Sequence, residues 1–249
     1  MKALILAAGL GSRLGKLTEN CPKTMVPVNG KPILEKQIEN LLENNISDIT
    51  IVTGYKSEVI EDFISNNYPF IKIIKSIYYN TTNNMYSAYL AKESFYNQEF
   101  LMMNGDVYYD SSVLTELLKD YYYNSIVTDI GLYNEESMKV VKSNGKLISI
   151  SKQISENEAL GCSIDVYKFS KEGSKKFFEK CTEYIESQNQ LKLWSEVALN
   201  DILEDVEFTA CPLVGRWFEI DNFSDLEKAS ELFKEKIENT KVKTLRLGS

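Results

Sequence analysis

The chain has 249 residues, with 28 lysines and arginines, 36 aspartates and glutamates and a formal net charge of −8. This length allows one large core without disulfide support, and the interspersed, mostly acidic charge argues against a nucleic-acid partner, whose phosphates require a broad basic surface. The sequence has no histidine, which excludes a histidine general base, a Ser-His-Asp triad and a histidine-bound metal. Chemistry must therefore rely on carboxylates, lysines, arginines and backbone amides.

The cysteines indicate neither a zinc site nor a disulfide framework. Cys21, Cys162, Cys181 and Cys211 are widely separated and show no C-x-x-C spacing. The opening MKALILAAG is about one strand long, which is too short for the apolar region of a signal peptide, and no later stretch is long enough to span a bilayer. We therefore expect a cytoplasmic protein without membrane insertion.

The first half alternates short apolar runs with helical patterns, which predicts a parallel sheet covered by helices on both faces. A loop over residues 9–30 is followed by a helix with Pro32 in its first turn and Ile33, Ile38, Leu41 and Leu42 at helical spacing. The remaining predicted elements are strands at 2–8, 48–54, 71–77 and 100–109, and helices at 57–67 and 85–95, the latter capped by Asn84.

The second half is less regular. Its predicted strands lie at 125–133, 138–151, 163–169 and 206–213, with Asn144-Gly145 as the strongest hairpin signal. Helices are predicted to begin near Lys171 and Leu193. Residues 215–233 suggest a strand followed by a helix capped by Asn222 or Ser224. We expect one domain over 1–240 and a polar tail or linker at 241–249.

The densest motif is LAAGLGSRLG at residues 6–15, directly after the first predicted strand. Gly9 and Gly11 remove side chains that would keep an anion away from backbone amides, so the segment can cradle phosphate. An ordinary glycine turn is the alternative, but Arg13 and Lys23 favour a phosphate loop.

Two familiar phosphate loops do not fit this segment. The dinucleotide-binding pattern G-x-G-x-x-G fails because Gly15 is displaced by one position, and the second strand ends in TGYK without the ribose-binding acid. The P-loop requires glycine before its Lys-Thr pair, whereas Lys23-Thr24 follows Pro22. A nicotinamide enzyme and a P-loop kinase are therefore disfavoured.

The run at residues 6–38 resembles the opening signature of the sugar-nucleotide pyrophosphorylase-like nucleotidyltransferases, with weaker motifs over nearly the whole chain. TTNNMYSAYLA, residues 81–91, is similar to the branch that uses CTP, including phosphocholine and aminoethylphosphonate cytidylyltransferases. The resemblance implies a nucleotide-diphospho-sugar transferase-like α/β fold: a mostly parallel, Rossmann-like mixed sheet flanked by helices, with a small β/α elaboration on the acceptor side. Residues 1–110 would form the nucleotide-binding half and 111–240 the acceptor-binding half.

The resemblance also implies roles for individual residues. Arg13 would clamp the outer phosphates, Lys23 would neutralise charge that develops toward the leaving pyrophosphate, and Lys152 would grip the acceptor's phosphate. The other substrate-binding positions are the phosphate cradle Leu6, Ala8, Gly9, Gly11 and Ser12, and the nucleobase residues Asn84 and Ser87.

Asp106 and Asp221 are the candidate metal ligands. Asp106 follows an apolar strand, at the end where open α/β sheets place their ligands, and Asp221 follows a second apolar strand more than a hundred residues later. Alternatively, Asp106 is a turn residue and Asp221 a helix cap. The resemblance implies that the two together bind magnesium, for which carboxylate oxygens are suitable ligands.

The acceptor side is less defined. A cationic head group would suit Glu135, Glu136 and Glu219, although Glu135, Glu136 and Lys139 could equally form a surface turn. Trp194 and Trp217 are aromatic candidates for the same group.

We therefore expect a magnesium-dependent enzyme that transfers CMP from CTP to a small aminoalkyl phosphate or phosphonate, with Asp106 also near the substrate. A homodimer is compatible with this expectation. One alternative is a sugar-1-phosphate nucleotidyltransferase that uses UTP or dTTP. Another is an inactive regulatory subunit that only binds nucleotide.

Overall fold

Apolar strands from both halves of the chain join in one nine-stranded sheet in the computed structural model, which describes residues 1–234. The strands are β1 (Lys2–Ala7), β2 (Pro27–Val28), β3 (Lys31–Pro32), β4 (Asp48–Thr53), β5 (Lys72–Lys75), β6 (Phe100–Asn104), β7 (Val107–Tyr109), β8 (Ser125–Ile130), β9 (Lys139–Ser143), β10 (Lys146–Ser151), β11 (Gly161–Phe169), β12 (Thr209–Pro212) and β13 (Trp217–Glu219). The helices are α1 (Ile33–Glu43), α2 (Ser57–Asn67), α3 (Asn84–Leu90), α4 (Lys92–Phe95), α5 (Ser112–Lys119), α6 (Lys171–Thr182), α7 (Ser195–Ile202) and α8 (Phe223–Leu232).

The main sheet runs in the order β10-β9-β11-β6-β1-β4-β5, and β8 joins it by pairing with both β11 and β12. The four strands from the first half are parallel to one another. The long strand β11 is antiparallel to its neighbours β6, β8 and β9. The predicted mixed α/β sheet flanked by helices is therefore confirmed.

The core lies on both faces of this sheet because β1 is apolar and buried from Ala3 to Ala7. Leu4 and Leu6 pack into one hydrophobic cluster, whereas Ala3, Ile5 and Ala7 pack into the cluster on the opposite face. This alternation follows from the two-residue repeat of a strand. With both faces covered, the strand ends are the natural place for a ligand site.

Two predicted elements of the first half are divided in the structure. The predicted strand 100–109 breaks into β6 and β7 because Gly105 approaches another backbone: its N–H donates to the Leu6 oxygen at 2.9 Å, and a Cβ added at Gly105 would lie 2.9 Å from that oxygen. The predicted helix 85–95 breaks at Ala91 into α3 and α4. Its cap is Asn83, not Asn84, which begins the helix.

Other local predictions have mixed outcomes. Asn222 caps α8 in a reciprocal arrangement with Asp225, so Ser224 was the wrong alternative. The Asn144-Gly145 turn joins β9 to β10, with φ of 50° and 88° as a tight hairpin turn requires. Pro32 sits just before α1 at the cap position instead of in its first turn.

The predicted tail at 241–249, like the last residues of the predicted 1–240 domain, lies outside the described residues. Among the helices of residues 1–234, none is both long and apolar enough to cross a membrane.

Candidate active site

A cleft of about 380 Å³ opens at the carboxyl ends of β1 and β6. Its wall includes the predicted residues Leu6, Ala8, Gly9, Gly11, Ser12, Arg13, Lys23, Asn84, Ser87, Asp106, Glu136, Lys152, Glu219 and Asp221, whereas the head-group candidates Glu135 and Trp217 lie outside it. The fold therefore brings together residues that span more than 200 positions of the chain, while their individual roles stay predictions.

The glycine loop, which contains Gly9 and Gly11, forms one wall of the cleft. Gly11 has φ of 61°, and a Cβ at this position would lie 2.7 Å from Cβ of Lys23. Glycine is thus required for the loop to pass close to Lys23. The Thr18 hydroxyl donates to the Gly11 oxygen at 2.9 Å and so stabilises the loop. At Gly9, by contrast, an added Cβ would have no described atom within 4 Å.

Lys23 is held between the two predicted metal ligands. Its Nζ lies 2.8 Å from Asp106 Oδ2 and 2.6 Å from Asp221 Oδ1, and Arg13 Nη2 lies 2.7 Å from the same oxygen of Asp221. Burial would lower the pKa of Lys23, but the two carboxylates outweigh it and raise that pKa. Burial would likewise raise the pKa of Asp221, but Lys23 and Arg13 hold it below its ordinary value.

A two-stranded sheet brings these acids together across the sequence. β7 begins directly after Asp106, and β13 ends two residues before Asp221. The strands pair antiparallel with Glu219 opposite Val107, and the Ile220 N–H donates to the Asp106 oxygen at 3.0 Å. Short backbone pairing therefore sets the spacing of the two aspartates.

The carboxylates of this region fit a divalent cation. One oxygen from each of Asp106, Glu219 and Asp221 lies within 4.8 Å of the others. Asp106 Oδ1 is buried and has no hydrogen-bond partner among the described residues. Burial, reinforced by nearby carboxylates, raises the pKa of Glu219 to about 9. Carboxylate oxygens are suitable ligands for magnesium. Glu219 therefore joins the two predicted aspartates as a third candidate ligand.

The acceptor side agrees only in part with the sequence predictions. Lys152 Nζ lies 5.0 Å from the centre of the Trp194 ring, and both residues line the cleft. Glu136 is an exposed wall residue. Trp217 was a wrong candidate: its ring packs against the core, and its Nε1 donates to Asp129 at 2.8 Å, away from the cleft wall.

Sequence reasoning missed a polar network on the cleft floor. Tyr167 donates to Asp165 at 2.8 Å and contacts Glu196 at 2.9 Å, while the Asn104 amide donates to Asp165 at 2.9 Å. Burial, with Glu196 and Asp106 nearby, raises the pKa of Asp165 to about 7. The only signal in the sequence was a charged residue inside an apolar strand run.

Asp165 also has an unusual backbone. Its φ is 58° within β11, where the pairing register with β8 shifts. A non-glycine residue rarely adopts this conformation, and bulges often lie next to functional sites. The irregularity therefore lies at a residue that lines the cleft.

Asn84 links this floor to the nucleobase side of the predicted site. Its Oδ1 accepts from the Ser195 N–H at 2.8 Å, and its amide lies 3.4 Å from Asn104 Oδ1. Ser87, one turn further along α3, is buried on the cleft wall. Asn84 therefore has a well-defined orientation from which a base could be recognised.

A glycine-rich loop after the first strand, with cations and acids at the carboxyl edge of a mixed sheet, defines the class of nucleotide-diphospho-sugar transferase folds. The chain belongs to one family of this class. The model of the nucleotidyl transferase family matches residues 2–139, which confirms the resemblance carried by the opening motif.

The similar proteins include both bifunctional GlmU proteins and a cytidylyltransferase. The bifunctional protein GlmU of Methanocaldococcus jannaschii is 30% identical over 243 residues, covering 98% of this chain and 56% of that protein. The choline-phosphate cytidylyltransferase of Streptococcus pneumoniae is 48% identical over 97 residues, covering 39% of this chain and 42% of that protein. The chain thus spans about half the length of the curated relatives it matches.

A solved structure is similar over nearly its entire length. The CTP:phosphocholine cytidylyltransferase from Streptococcus pneumoniae superposes with a TM-score of 0.78 at 28% identity, covering 94% of this chain and 99% of that chain. The similarity therefore extends well beyond the opening motif.

Proposed function

We propose that the chain transfers CMP from CTP to a small aminoalkyl phosphate or phosphonate, such as phosphocholine or 2-aminoethylphosphonate, and releases pyrophosphate. The observation that carries this proposal is the position of Lys23, which lies in the cleft beside the glycine loop and donates to Asp106 and Asp221. The local identity to a choline-phosphate cytidylyltransferase supports CTP and this class of acceptor.

The reaction would be a direct in-line displacement. An oxygen of the acceptor's phosphate forms a bond to the α-phosphorus of CTP, and the bond from that phosphorus to pyrophosphate breaks, so no covalent enzyme intermediate is formed. The attacking group is already an anion at neutral pH, which removes the need for a general base and agrees with the absence of histidine.

The protein would contribute position and charge. The amides near Gly9 and Gly11 hold the triphosphate, Arg13 binds its outer phosphates, and Lys23 neutralises charge on the departing pyrophosphate. Lys152 holds the acceptor's phosphate. The side chain of Arg13 is 62% exposed, so it is free to turn away from Asp221 and toward an incoming phosphate.

Asp106 and Asp221, with Glu219 beside them, would hold magnesium. The ion would neutralise the phosphate oxygens of both substrates where they meet.

The cleft offers two kinds of partner for a cationic head group. Trp194 presents an aromatic face beside Lys152, which suits a trimethylammonium group because that group has no N–H donor. Asp165 and Glu196 place carboxylates on the floor, which suits a primary amine that can donate hydrogen bonds. These features support an acceptor that combines an anionic phosphate end with a cationic end.

A pyrophosphate-release assay tests the proposal. Phosphocholine, phosphoethanolamine, 2-aminoethylphosphonate and glucose-1-phosphate are each combined with CTP, UTP and dTTP in the presence of magnesium. We expect the highest kcat/KM with CTP and one of the amine-bearing acceptors. The highest value with glucose-1-phosphate and UTP or dTTP would instead identify a sugar-1-phosphate nucleotidyltransferase, and nucleotide binding without any turnover would identify an inactive regulatory subunit.

A further inference from the structure

Lys139 is a fully buried lysine whose ammonium donates only to backbone carbonyls within the described part of the chain. Its Nζ lies 2.6 Å from the Lys152 oxygen, 2.9 Å from the Glu135 oxygen and 3.2 Å from the Asn134 oxygen. An ammonium group has three N–H donors and no acceptor. The three carbonyls therefore match its donors in number.

No carboxylate forms an ion pair with Lys139 among residues 1–234. The nearest aromatic group is the Tyr133 ring, whose centre lies 5.2 Å from Nζ. Burying a cation is costly unless it is fully hydrogen-bonded, and removal of the ammonium would leave three carbonyls to find other donors. The position thus strongly favours lysine over an apolar residue of similar size.

The three carbonyls belong to two separate segments of the cleft wall. Asn134 and Glu135 directly precede residues 136–138, which line the cleft, and Lys152 lines it from the end of the β9–β10 hairpin. Lys139 stands between them as the first residue of β9, paired in register with Ser151. Its ammonium is therefore a cross-link between two parts of the wall.

We propose that Lys139 is a positioning residue for the acceptor. By tying the segment 134–138 to the Lys152 peptide, it fixes Glu136 and the Lys152 side chain on either side of the bound acceptor. This inference rests on the function proposed above, which assigns Lys152 to the acceptor's phosphate.

Lys168 provides a matched control. It is also a buried lysine, 7% exposed, and its Nζ donates to the Leu117 and Asp120 oxygens at 3.2 and 2.8 Å. Neither this lysine nor its partners line the cleft. Lys168→Met therefore reproduces the loss of a buried, carbonyl-bound ammonium without touching the acceptor side.

The test compares Lys139→Met with Lys168→Met in two measurements. Hydrogen exchange is followed in peptides covering 131–139 and 150–155, and KM is determined separately for CTP and for phosphocholine or 2-aminoethylphosphonate. In Lys139→Met we expect exchange in both segments to accelerate and the acceptor's KM to rise by about tenfold or more, which corresponds to about 1.4 kcal/mol. The KM for CTP should change by no more than about twofold, because the nucleotide wall is untouched.

A purely structural role would lower the folded fraction and the apparent kcat in both variants, with acceptor KM unchanged. An unchanged acceptor KM or unchanged exchange in Lys139→Met, or an equal rise in Lys168→Met, would overturn the inference. Lys139→Gln, whose side-chain NH₂ retains two of the three N–H donors, is used if the methionine variant does not fold. If the unaltered chain turns over no acceptor, the proposed function fails, and the exchange comparison alone decides whether Lys139 fastens the two segments.

Discussion

Lys23 is oriented by protein carboxylates before any substrate arrives. Its side chain is only 12% exposed, and it contacts one oxygen of Asp106 and one of Asp221. A cation held in this way needs little rearrangement when charge develops on a nearby phosphate, which is the condition for effective electrostatic stabilisation. Its main effect should therefore be on the rate, with a smaller effect on nucleotide affinity.

For Lys23→Ala we expect kcat to fall by about 100-fold or more, as is typical for loss of one preorganised charge or donor, while the dissociation constant for CTP rises by less than about tenfold. Steady-state kinetics and calorimetric titration of CTP would measure the two effects. Lys16→Ala is the control because Lys16 is exposed and lies outside the cleft wall. A loss of affinity as large as the loss of rate would contradict the assignment.

Asp106→Asn and Asp221→Asn should each abolish turnover. Asparagine retains the size of the side chain but removes the negative charge that a divalent cation requires. We expect CTP binding in the absence of metal to survive, and Asp62→Asn on the exposed face of α2 to be without effect. Turnover measured over a magnesium titration provides the check, and a near-normal rate at saturating magnesium would exclude that aspartate as a ligand.

The residues of the site differ in how far the sequence predicts them. Arg13 and Lys23 lie within one contiguous motif, and Asp106 follows a clear apolar strand, so local pattern was sufficient to select them. Asp165 and Lys139 depend on tertiary structure. Asp165 lies at a register shift in β11, and Lys139 is buried where β9 begins. Neither feature leaves a periodic signal in the sequence.

At the scale of elements, the small β7–β13 sheet brings the candidate metal ligands together. Arg216, just before β13, donates to both carboxylate oxygens of Asp110, just after β7, with all three N···O distances at 2.9 Å. The same guanidinium lies 4.8 Å from the centre of the Phe233 ring and donates to the Leu232 oxygen at the end of α8. Asp110 and Arg216 therefore fasten the free end of this sheet.

Asp110→Asn should destabilise the fold in a pH-dependent manner. Burial alone would raise the pKa of Asp110, but Arg216 outweighs it and lowers that pKa. A lowered pKa contributes stability above the ordinary carboxyl range, and this contribution is lost as the pH falls through the pKa of the folded state. Because Arg216 is 46% exposed, we expect a loss of only about 1 kcal/mol at neutral pH.

Chemical denaturation at pH 7 and at successively lower pH would measure this difference. It should shrink toward zero in acid, where the wild-type carboxyl group is also neutral. Asp48→Asn is the control, since the Lys72–Asp48 pair is more exposed. A difference between Asp110→Asn and wild type that stays constant with pH would contradict the ion-pair explanation.

Element boundaries were predictable where the local pattern decides them. The Asn222 cap of α8 and the Asn144-Gly145 turn follow from side-chain and backbone preferences of a few residues. The division of the predicted strand 100–109 does not, because it results from contact between Gly105 and the distant Leu6 backbone. The apolar runs before Asn104 and after Asp106 conceal that the chain moves from one sheet to another.

At the scale of the whole molecule, the cleft joins residues from the first and second halves, so a bound nucleotide should stabilise both together. At a CTP concentration of about 100 times its dissociation constant, stabilisation amounts to about 2.7 kcal/mol, or roughly 5–11 °C in Tm for a chain of this size. Thermal unfolding with magnesium and each of CTP, UTP, ATP and GTP would measure it. An equal shift with all four nucleotides would contradict a preference for CTP.

The position of β11 between β6 and β8 has a consequence for synthesis of the chain. β6 ends at Asn104, and its partner β11 is complete only at Phe169, about 65 residues later. At ribosomal rates of about 5–20 residues per second, synthesis of this stretch takes on the order of 3–13 seconds. During that interval the apolar edge of β6 has no strand beside it on the growing polypeptide. Asp221 is translated later still, so the nascent protein must keep this edge from aggregating well before Asp221 can come together with Asp106.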